Sequence, residues 1–264
     1  MKWSLITASN NEEVLRRCLA RSPCLKRAAD FNAMRGFPSA AAAYNAGMRL
    51  AAGEVLVFAH QDVYLPQDWD GGLEQAIHKL EAGGVNWAVL GVWGLRKDGA
   101  PCGHVFCNSA GRVLGAPFLQ PVECSTLDEV VLVLRRSTGL CFDENLAGFD
   151  LYGTDICLTA AQKGFTNYIV PAFCVHNPPT GFFNRLSFWR WYFFMRRKWW
   201  QALPIKTPST VISRWPVRFP GHFIYGAYKR YIKRVPRRAP AEDVEELYRT
   251  AACGPGPTGP LGQK

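Results

Sequence analysis

No stretch of this chain approaches the roughly 20 consecutive apolar residues that a membrane-spanning helix requires. The nine cysteines stand singly, with no C-x-x-C pair and no regular spacing. Met1-Lys2-Trp3 runs through Ser4-Leu5-Ile6-Thr7 into the polar stretch Ser9-Asn10-Asn11-Glu12, without the apolar core of a secretory leader. Together these absences predict a cytoplasmic, reducing setting, with cysteines as small core residues rather than disulfide partners or zinc ligands. No internal repeat is present, and no Gly-rich phosphate loop follows the first predicted strand. Between residues 181 and 240 there is no Asp or Glu at all, against 14 Lys and Arg.

That last absence locates the charge. The chain of 264 residues carries a net +10, yet residues 1–180 hold 15 bases and 17 acids. A near-neutral body is joined to a strongly basic segment, so the high basicity describes the attachment. A hydrophobic content of 48% is enough for a full core. The predicted organisation is a body over residues 1–180, a basic aromatic helical extension over 181–250, and a Gly/Pro tail over 251–264 that is disordered by composition. Pro178-Pro179-Thr180-Gly181 supplies the boundary.

Within the body, helix and strand signals alternate. Lys2–Thr7 reads as a strand. Asn11 caps a helix striped by Val14, Leu15, Cys18 and Leu19. Leu25–Ala29 reads as a short strand and Asp30–Phe37 as a loop. Pro38 and Ser39 open an Ala-rich helix that stops at Gly53. Val55–Ala59, short, apolar and β-branched, is a strand covered on both faces. A helix over Asp68–Glu81, a strand over Trp87–Gly94, a hairpin or loop over Lys97–Arg112 and a strand over Glu129–Leu134 follow. A helix over Thr154–Lys163 and a strand over Thr166–Val175, which delivers His176, complete the body. The β-α-β-α-β opening predicts an α/β nucleotide-binding layer.

His60 and Asp62 alternate just past the buried strand, at the end where open α/β sheets bind ligands. On spacing alone, Asp62 is equally a turn residue, His176 a structural hydrogen bonder and Asp155 a first-turn acid.

Several segments taken together are similar to a known family. They are Ala43-Tyr44-Asn45-Ala46-Gly47, Ala52-Gly53-Glu54, Val57 through Pro66, Leu127 through Arg136, Phe142-Asp143-Glu144, Tyr152 through Leu158, and Val175-His176-Asn177. Their order and spacing resemble family-two-like glycosyltransferases, in the flavour that carries H-Q-D in place of D-x-D. The resemblance implies a GT-A fold: a Rossmann-like α/β domain with a mixed, mostly parallel sheet flanked by helices. It implies an inverting, metal-dependent transferase moving a sugar from a nucleotide-diphosphate donor to a hydroxyl acceptor, either a glycan, a lipid-linked glycan or a small molecule. Asp62 would hold Mn²⁺ or Mg²⁺, with His176 and His60 as further ligands or phosphate contacts. Asp155 would be the general base, kept ionised by the helix N-terminus, and Asp150 its fallback. The donor would lie over the ends of the N-terminal strands. Thr7, Ala8 and Ser9 would contact it there, Asp30 or Asn32 would read the base, and Asn45, His60, Gln61 and Asp62 would face it. Rival readings are a nucleotidyltransferase and a catalytically degenerate binding module.

Gly181–Trp200 interleaves ten aromatics with arginines and a lysine. The bases do not gather on one helical face. The segment reads as a helix packed on the body with part of it in an anionic membrane interface, or as a plain core cover. Nucleic acid is not the expected partner.

Overall fold

The computed structural model describes residues 1–179, 185–215 and 238–253. Its centre is a 12-stranded sheet in the order β2-β1-β3-β10-β5-β11-β9-β6-β7-β12-β4, with β8 on β7. The strands at its first edge are β1 (Trp3–Ser9), β2 (Asp30–Arg35) and β3 (Val55–Ala59), all parallel. β10 (Val131–Arg135) is inserted antiparallel between β3 and β5 (Trp87–Gly91), and β11 (Thr166–Ile169) runs parallel to β5. This half is therefore the mixed, mostly parallel sheet expected.

The buried-strand reading of Val55–Ala59 holds in detail. Leu56 and Phe58 point into a core cluster shared with α2 (Ala40–Leu50) and α4 (Tyr152–Gln162). Val55, Val57 and Ala59 point into a second cluster shared with α1 (Glu12–Arg17) and α3 (Trp69–Ala82). β10 divides the same way, Leu132 and Leu134 against Val131 and Val133. Period-two alternation thus feeds two apolar layers, which is why the strand shows no polar face.

Local chemistry sets the helix ends. The Asn11 side chain accepts from the backbone N–H groups of Glu13 and Val14, and the Ser39 hydroxyl accepts from Ala42 N–H. Gly47 is a packing requirement, because a Cβ there would run into the Ile6 side chain.

Four element readings are corrected. Leu25–Ala29 is no strand: Pro23–Arg27 forms a 3₁₀ turn, and the second strand is Asp30–Arg35, the segment read as a loop. β2 is a half-buried edge strand without an apolar run, fixed by pairing with β1 and by Asp30, which accepts from Ser4 Oγ at 2.7 Å and Ala52 N–H at 2.8 Å. The strand over Trp87–Gly94 breaks at Val92 into β5 and β6 (Trp93–Arg96), and β6 pairs with β7 (Pro101–Cys107) as the hairpin expected there. The late strand breaks around Pro171, which has no N–H to give a ladder, into β11 and β12 (Cys174–His176). β8 (Arg112–Gly115) and β9 (Val122–Leu127) complete the second half, with β4 (Val63–Tyr64) at its edge.

α5 (Arg185–Lys198) is not a detached arm. Phe188, Trp191, Tyr192, Met195 and Trp199 join the same core cluster as α2 and α4. After it comes a small hairpin, β13 (Ile205–Lys206) with β14 (Val211–Ile212), so the basic segment is only partly helical. α6 (Val244–Cys253) packs Val244 and Tyr248 onto Tyr64 and Val175. Residues 251–253 are therefore helical, whereas the tail expected over 254–264 and the boundary at 180–181 lie outside the described residues. The eight cysteines from Cys18 to Cys174 are free thiols, and none of the described helices is long and apolar enough to cross a membrane.

Candidate active site

β3 ends where its backbone leaves the main sheet. His60 N–H donates to Val130 C=O at 3.2 Å, and a turn closed by Val63 N–H on His60 C=O carries the chain into β4. Asp62 sits in that turn. β12 pairs antiparallel with β4, placing His176 opposite Val63, and Asn177 N–H donates to Asp62 C=O at 2.9 Å. The register alone brings the two halves of the family-like pattern together.

His60, Asp62 and His176 offer ligand atoms that all lie within 4.8 Å of one another. The rings of His60 and His176 meet edge to face at 5.9 Å. His176 Nε2 lies 3.5 Å from Asp62 Oδ1, beyond ordinary hydrogen-bond length, and this buried Oδ1 accepts no hydrogen bond. A buried carboxylate oxygen with an unfilled lone pair is costly unless something binds it. Two imidazoles and one carboxylate form a donor set that suits Mn²⁺ and other borderline divalent ions better than Mg²⁺, which prefers oxygen alone. The residues present therefore fit a divalent metal.

The electrostatics agree. Burial disfavours the Asp62 carboxylate, but His176 and then His60 more than offset it, so its pKa falls below the usual range. Burial likewise disfavours a charged His176, yet Asp62 and Cys107 overturn that and push it up to about 10. His60 goes the other way: burial, with His176 adding to it, holds it neutral despite Asp62. Cys107, opposite His176 in the β7–β12 register, is opposed by burial but brought down to about 7 by hydrogen bonds from His176 and Ser109.

A cavity of about 280 Å³ opens beside this cluster, and Ala8, Ser9, His60, Gln61 and Asp62 from the predicted set all line it. Gln61 organises its rim, accepting through Oε1 from Ser9 Oγ and from the N–H groups of Asn10 and Asn11 at 3.0–3.1 Å. Its Nε2 donates to Asn10 Oδ1 at 2.7 Å. Thr7 is fully buried behind this rim.

Three predicted residues lie elsewhere. Asp30 starts β2, at the opposite end of β1 from Ser9, and is tied to Ser4, Ala52 and Asn32. The slip in strand assignment misplaced it and Asn32, since the end of β2 near the cavity is Met34, followed by Gly36 and Phe37. Asn45 spends its amide on Phe142, donating to its C=O and accepting from its N–H at 2.9 Å each, and on Glu144.

The acids near α4 also depart from expectation. Asp155 is buried, with Trp199 Nε1–H on Oδ1 at 2.7 Å and Lys198 Nζ at 2.8 Å. Lys198 also pairs with Asp143 at 2.7 Å. Burial raises the Asp155 pKa and Lys198 and Trp199 only partly offset it, contrary to the lowered value expected of a helix N-terminus. Asp150 is half-buried, and no hydrogen bond among the described residues engages its carboxylate. Burial alone pushes it up to about 6. Its neighbours Phe149 and Tyr152 line the cavity, and Leu151 between them adopts a left-handed conformation, φ 66°, that a branched side chain disfavours.

Tyr44 and Tyr152 are residues the sequence reasoning passed over. Their hydroxyls share a 3.4 Å hydrogen bond, and Tyr152 Oη lies 2.9 Å from His60 Nε2. Both stand in family-like segments, Tyr44 directly before Asn45 and Tyr152 directly before Gly153-Thr154-Asp155. Lys198 and Trp199 were hidden by their place in the segment read as an attachment.

A family model described as glycosyltransferase-like matches residues 4–180, which is most of the chain and contains every residue of this cluster. The chain belongs to the glycosyltransferase-like family. This glycosyltransferase-like chain is also 31% identical over 124 residues to the ATP synthase subunits region ORF 6 protein of Fuscovulum blasticum, a match spanning 45% of this chain and 49% of that one. It thus spans about half the length of the curated relative it matches. Similar solved structures include S. aureus TarS 1-349 in complex with UDP, at 12% identity and TM-score 0.48, covering 89% of this chain and 74% of that one. Another is the mannosyltransferase PcManGT from Pyrobaculum calidifontis in complex with GDP-Man and Mn²⁺, at 13% identity and TM-score 0.45, covering 96% and 76%.

Proposed function

We propose that this chain is an inverting, metal-dependent glycosyltransferase that moves a sugar from a nucleoside-diphosphate donor to a hydroxyl acceptor. The observation that carries the reading is the unsatisfied, buried Oδ1 of Asp62 between two imidazoles at the mouth of a cavity. A divalent ion held by Asp62, His176 and His60, with His60-Gln61-Asp62 in the role that the family resemblance gives to D-x-D, would neutralise charge on the diphosphate leaving group. Ala8, Ser9 and the Gln61-organised rim would receive the nucleoside. Tyr152 would orient the neutral His60 ring through its hydroxyl.

The acceptor hydroxyl needs a base. Asp155 is engaged by Lys198 and Trp199, whereas Asp150 has a disengaged carboxylate with a pKa raised to about 6. Asp150 is therefore our assignment for the base, with Asp155 anchoring α5. The hydroxyl proton passes to an Asp150 oxygen as the acceptor oxygen bonds the anomeric carbon from the face opposite the departing phosphate oxygen, so the configuration inverts.

A second reading rests on His176, pushed up to about 10. As an imidazolium it could contact the diphosphate directly, without a metal. Thermal shift with UDP and GDP, with and without Mn²⁺, tests both. A nucleotide at about 100 times its Kd should raise Tm by roughly 5–10 °C. A shift that needs Mn²⁺ and disappears in Asp62→Asn supports the metal reading, and a shift insensitive to EDTA supports the second. If neither nucleotide moves Tm under any condition, the donor assignment is wrong and a binding module is the better account. Stabilisation by nucleoside triphosphate alone, with pyrophosphate release, would point instead to a nucleotidyltransferase.

A further inference from the structure

The hairpin after α5 is firmly built. Ile205 and Ile212 point into the core, and Thr126 Oγ1 donates to Lys206 C=O at 2.9 Å, tying the hairpin to β9. The Tyr192 hydroxyl accepts from Ser213 N–H at 3.2 Å. Alternation along both strands then turns the cross-strand pair Lys206 and Val211 outward. Trp215 follows, with 79% of its surface exposed. Beside it, Trp200 is 42% exposed and is flanked by two guanidinium groups, Arg196 at 4.9 Å and Arg214 at 5.8 Å from the ring centroid. Arg196 is fixed by donating to the carbonyls of Ser213 and Arg214 at 3.2 and 2.6 Å.

A groove of about 780 Å³ runs along this face, with Lys97, Asp98, Lys206, Val211, Arg214 and Trp215 among its lining. Lys97 is paired with Glu123 and Asp98 with Arg96, so the groove's one acid is already neutralised. Among the described residues, Lys206, Arg196 and Arg214 have no carboxylate partner, and the surrounding stretch 181–240 contains no acid. Two exposed tryptophans, one of them flanked by the Arg196 and Arg214 guanidinium groups, constitute an exposed apolar patch with a definite charge preference. Tryptophan with arginine is the pairing that suits the boundary between headgroups and acyl chains. A nucleic acid would offer the same charge, but here the apolar rings dominate, and Val211 adds an aliphatic side chain that offers no stacking.

We infer that this face, built from Trp200, Trp215, Arg196, Arg214 and Lys206, docks on an anionic lipid surface. The inference is independent of the donor chemistry proposed above.

Flotation of the full chain with vesicles decides it. The wild type should float with phosphatidylcholine vesicles containing phosphatidylglycerol at about 0.1 M salt, not with phosphatidylcholine alone, and should release near 1 M, where the screening length falls from ~10 to ~3 Å. Arg214→Gln should weaken binding about fivefold, and the double variant Trp200→Ser/Trp215→Ser should lose it. Each variant should keep the wild-type circular dichroism spectrum and melting temperature, which separates loss of docking from loss of fold. The inference is overturned by three results: no flotation at low salt, equal flotation on neutral vesicles, or undiminished flotation of the variants. It is also overturned if a single-stranded oligonucleotide displaces the vesicles and binds more tightly than they do.

Discussion

His176 Nε2 stands 3.5 Å from Asp62 Oδ1, held there by the β4–β12 register and not by any local sequence signal. In the metal-free protein two neighbouring histidines behave oppositely: Asp62 and Cys107 raise His176, whereas burial lowers His60. The folded pKa of His176 is raised, so its contribution to stability is complete below about 6.5 and fades as pH climbs through about 10. Asp62 is lowered, so its contribution is present above its unfolded value near 3.8 and is lost as acid titrates the folded carboxylate. His60 is lowered: protons favour the unfolded chain, and stability falls as pH drops below about 6.5. Histidine NMR titration should show His176 protonated above neutrality and His60 titrating below the ordinary histidine value. In Asp62→Asn, His176 should titrate lower than in the wild type. A His176 midpoint near 6.5 in the wild type would refute the pairing.

The two acids of α4 and its approach can be separated by substitution. Asp155→Asn keeps the shape of the carboxylate but removes its charge from Lys198 and puts an amide where Trp199 and Lys198 both need an acceptor. It should cost about 1–3 kcal/mol, since Trp199 and Lys198 both lose a charged acceptor, although Lys198 keeps its pair with Asp143. Asp150→Asn, in a half-buried group without partners, should cost under about 1 kcal/mol yet abolish transfer. Denaturant unfolding of both variants, with turnover measured alongside, checks the split. Stable Asp155→Asn protein without transfer, together with active Asp150→Asn, would return the base to Asp155.

Much of this was legible before the fold was known. The β3 strand, the Asn11 and Ser39 caps and the cluster of His60, Asp62 and His176 follow from apolar runs, capping chemistry and motif order. What escaped has two physical causes. β2 is an edge strand stabilised by backbone pairing and by Asp30, and an apolar-run criterion does not detect such strands. The engagement of Asp155 depends on Trp199 and Lys198, which reach it only after α5 folds back, and no spacing rule carries that contact. The basic segment looked separable because composition records charge, whereas its buried stripe of Phe188, Trp191, Tyr192, Met195 and Trp199 emerges only against α4.

That fold-back has a tight point. Trp191 lies so flat on Gly148 that a Cβ at residue 148 would penetrate the indole ring. Gly148 C=O also accepts from Ala40 N–H at 3.0 Å, so the loop cannot retreat without losing a bond at the start of α2. Gly148→Ala should therefore displace α5, costing about 1–3 kcal/mol as overpacking. Because α5 carries the ligands of Asp155, the variant should also expose that carboxylate. Amide exchange along α5 should accelerate relative to β3. Unchanged protection would show that the helix adapts without moving.

Gln61 carries the last prediction. Its Oε1 takes three donors, Ser9 Oγ at the end of β1 and the N–H groups of Asn10 and Asn11 in the loop before α1, and its Nε2 returns a bond to Asn10. The loop is solvent-exposed, so water can replace these bonds in the folded state, and Gln61→Ala should lower stability by only about 1 kcal/mol. Nucleotide binding should suffer more, because Ser9 and Asn10 line the cavity and would have to be ordered at the moment of binding. Roughly tenfold weaker UDP or GDP binding, measured by calorimetry at saturating Mn²⁺, is expected. Gln61→Glu discriminates preorganisation from direct contact. It preserves the acceptor for all three donors and loses only the bond to Asn10, so it should hold the loop. Affinity that remains near wild type in Gln61→Glu and falls in Gln61→Ala identifies Gln61 as a positioning residue. An equal fall in both means that its amide, or the absence of charge there, meets the nucleotide itself.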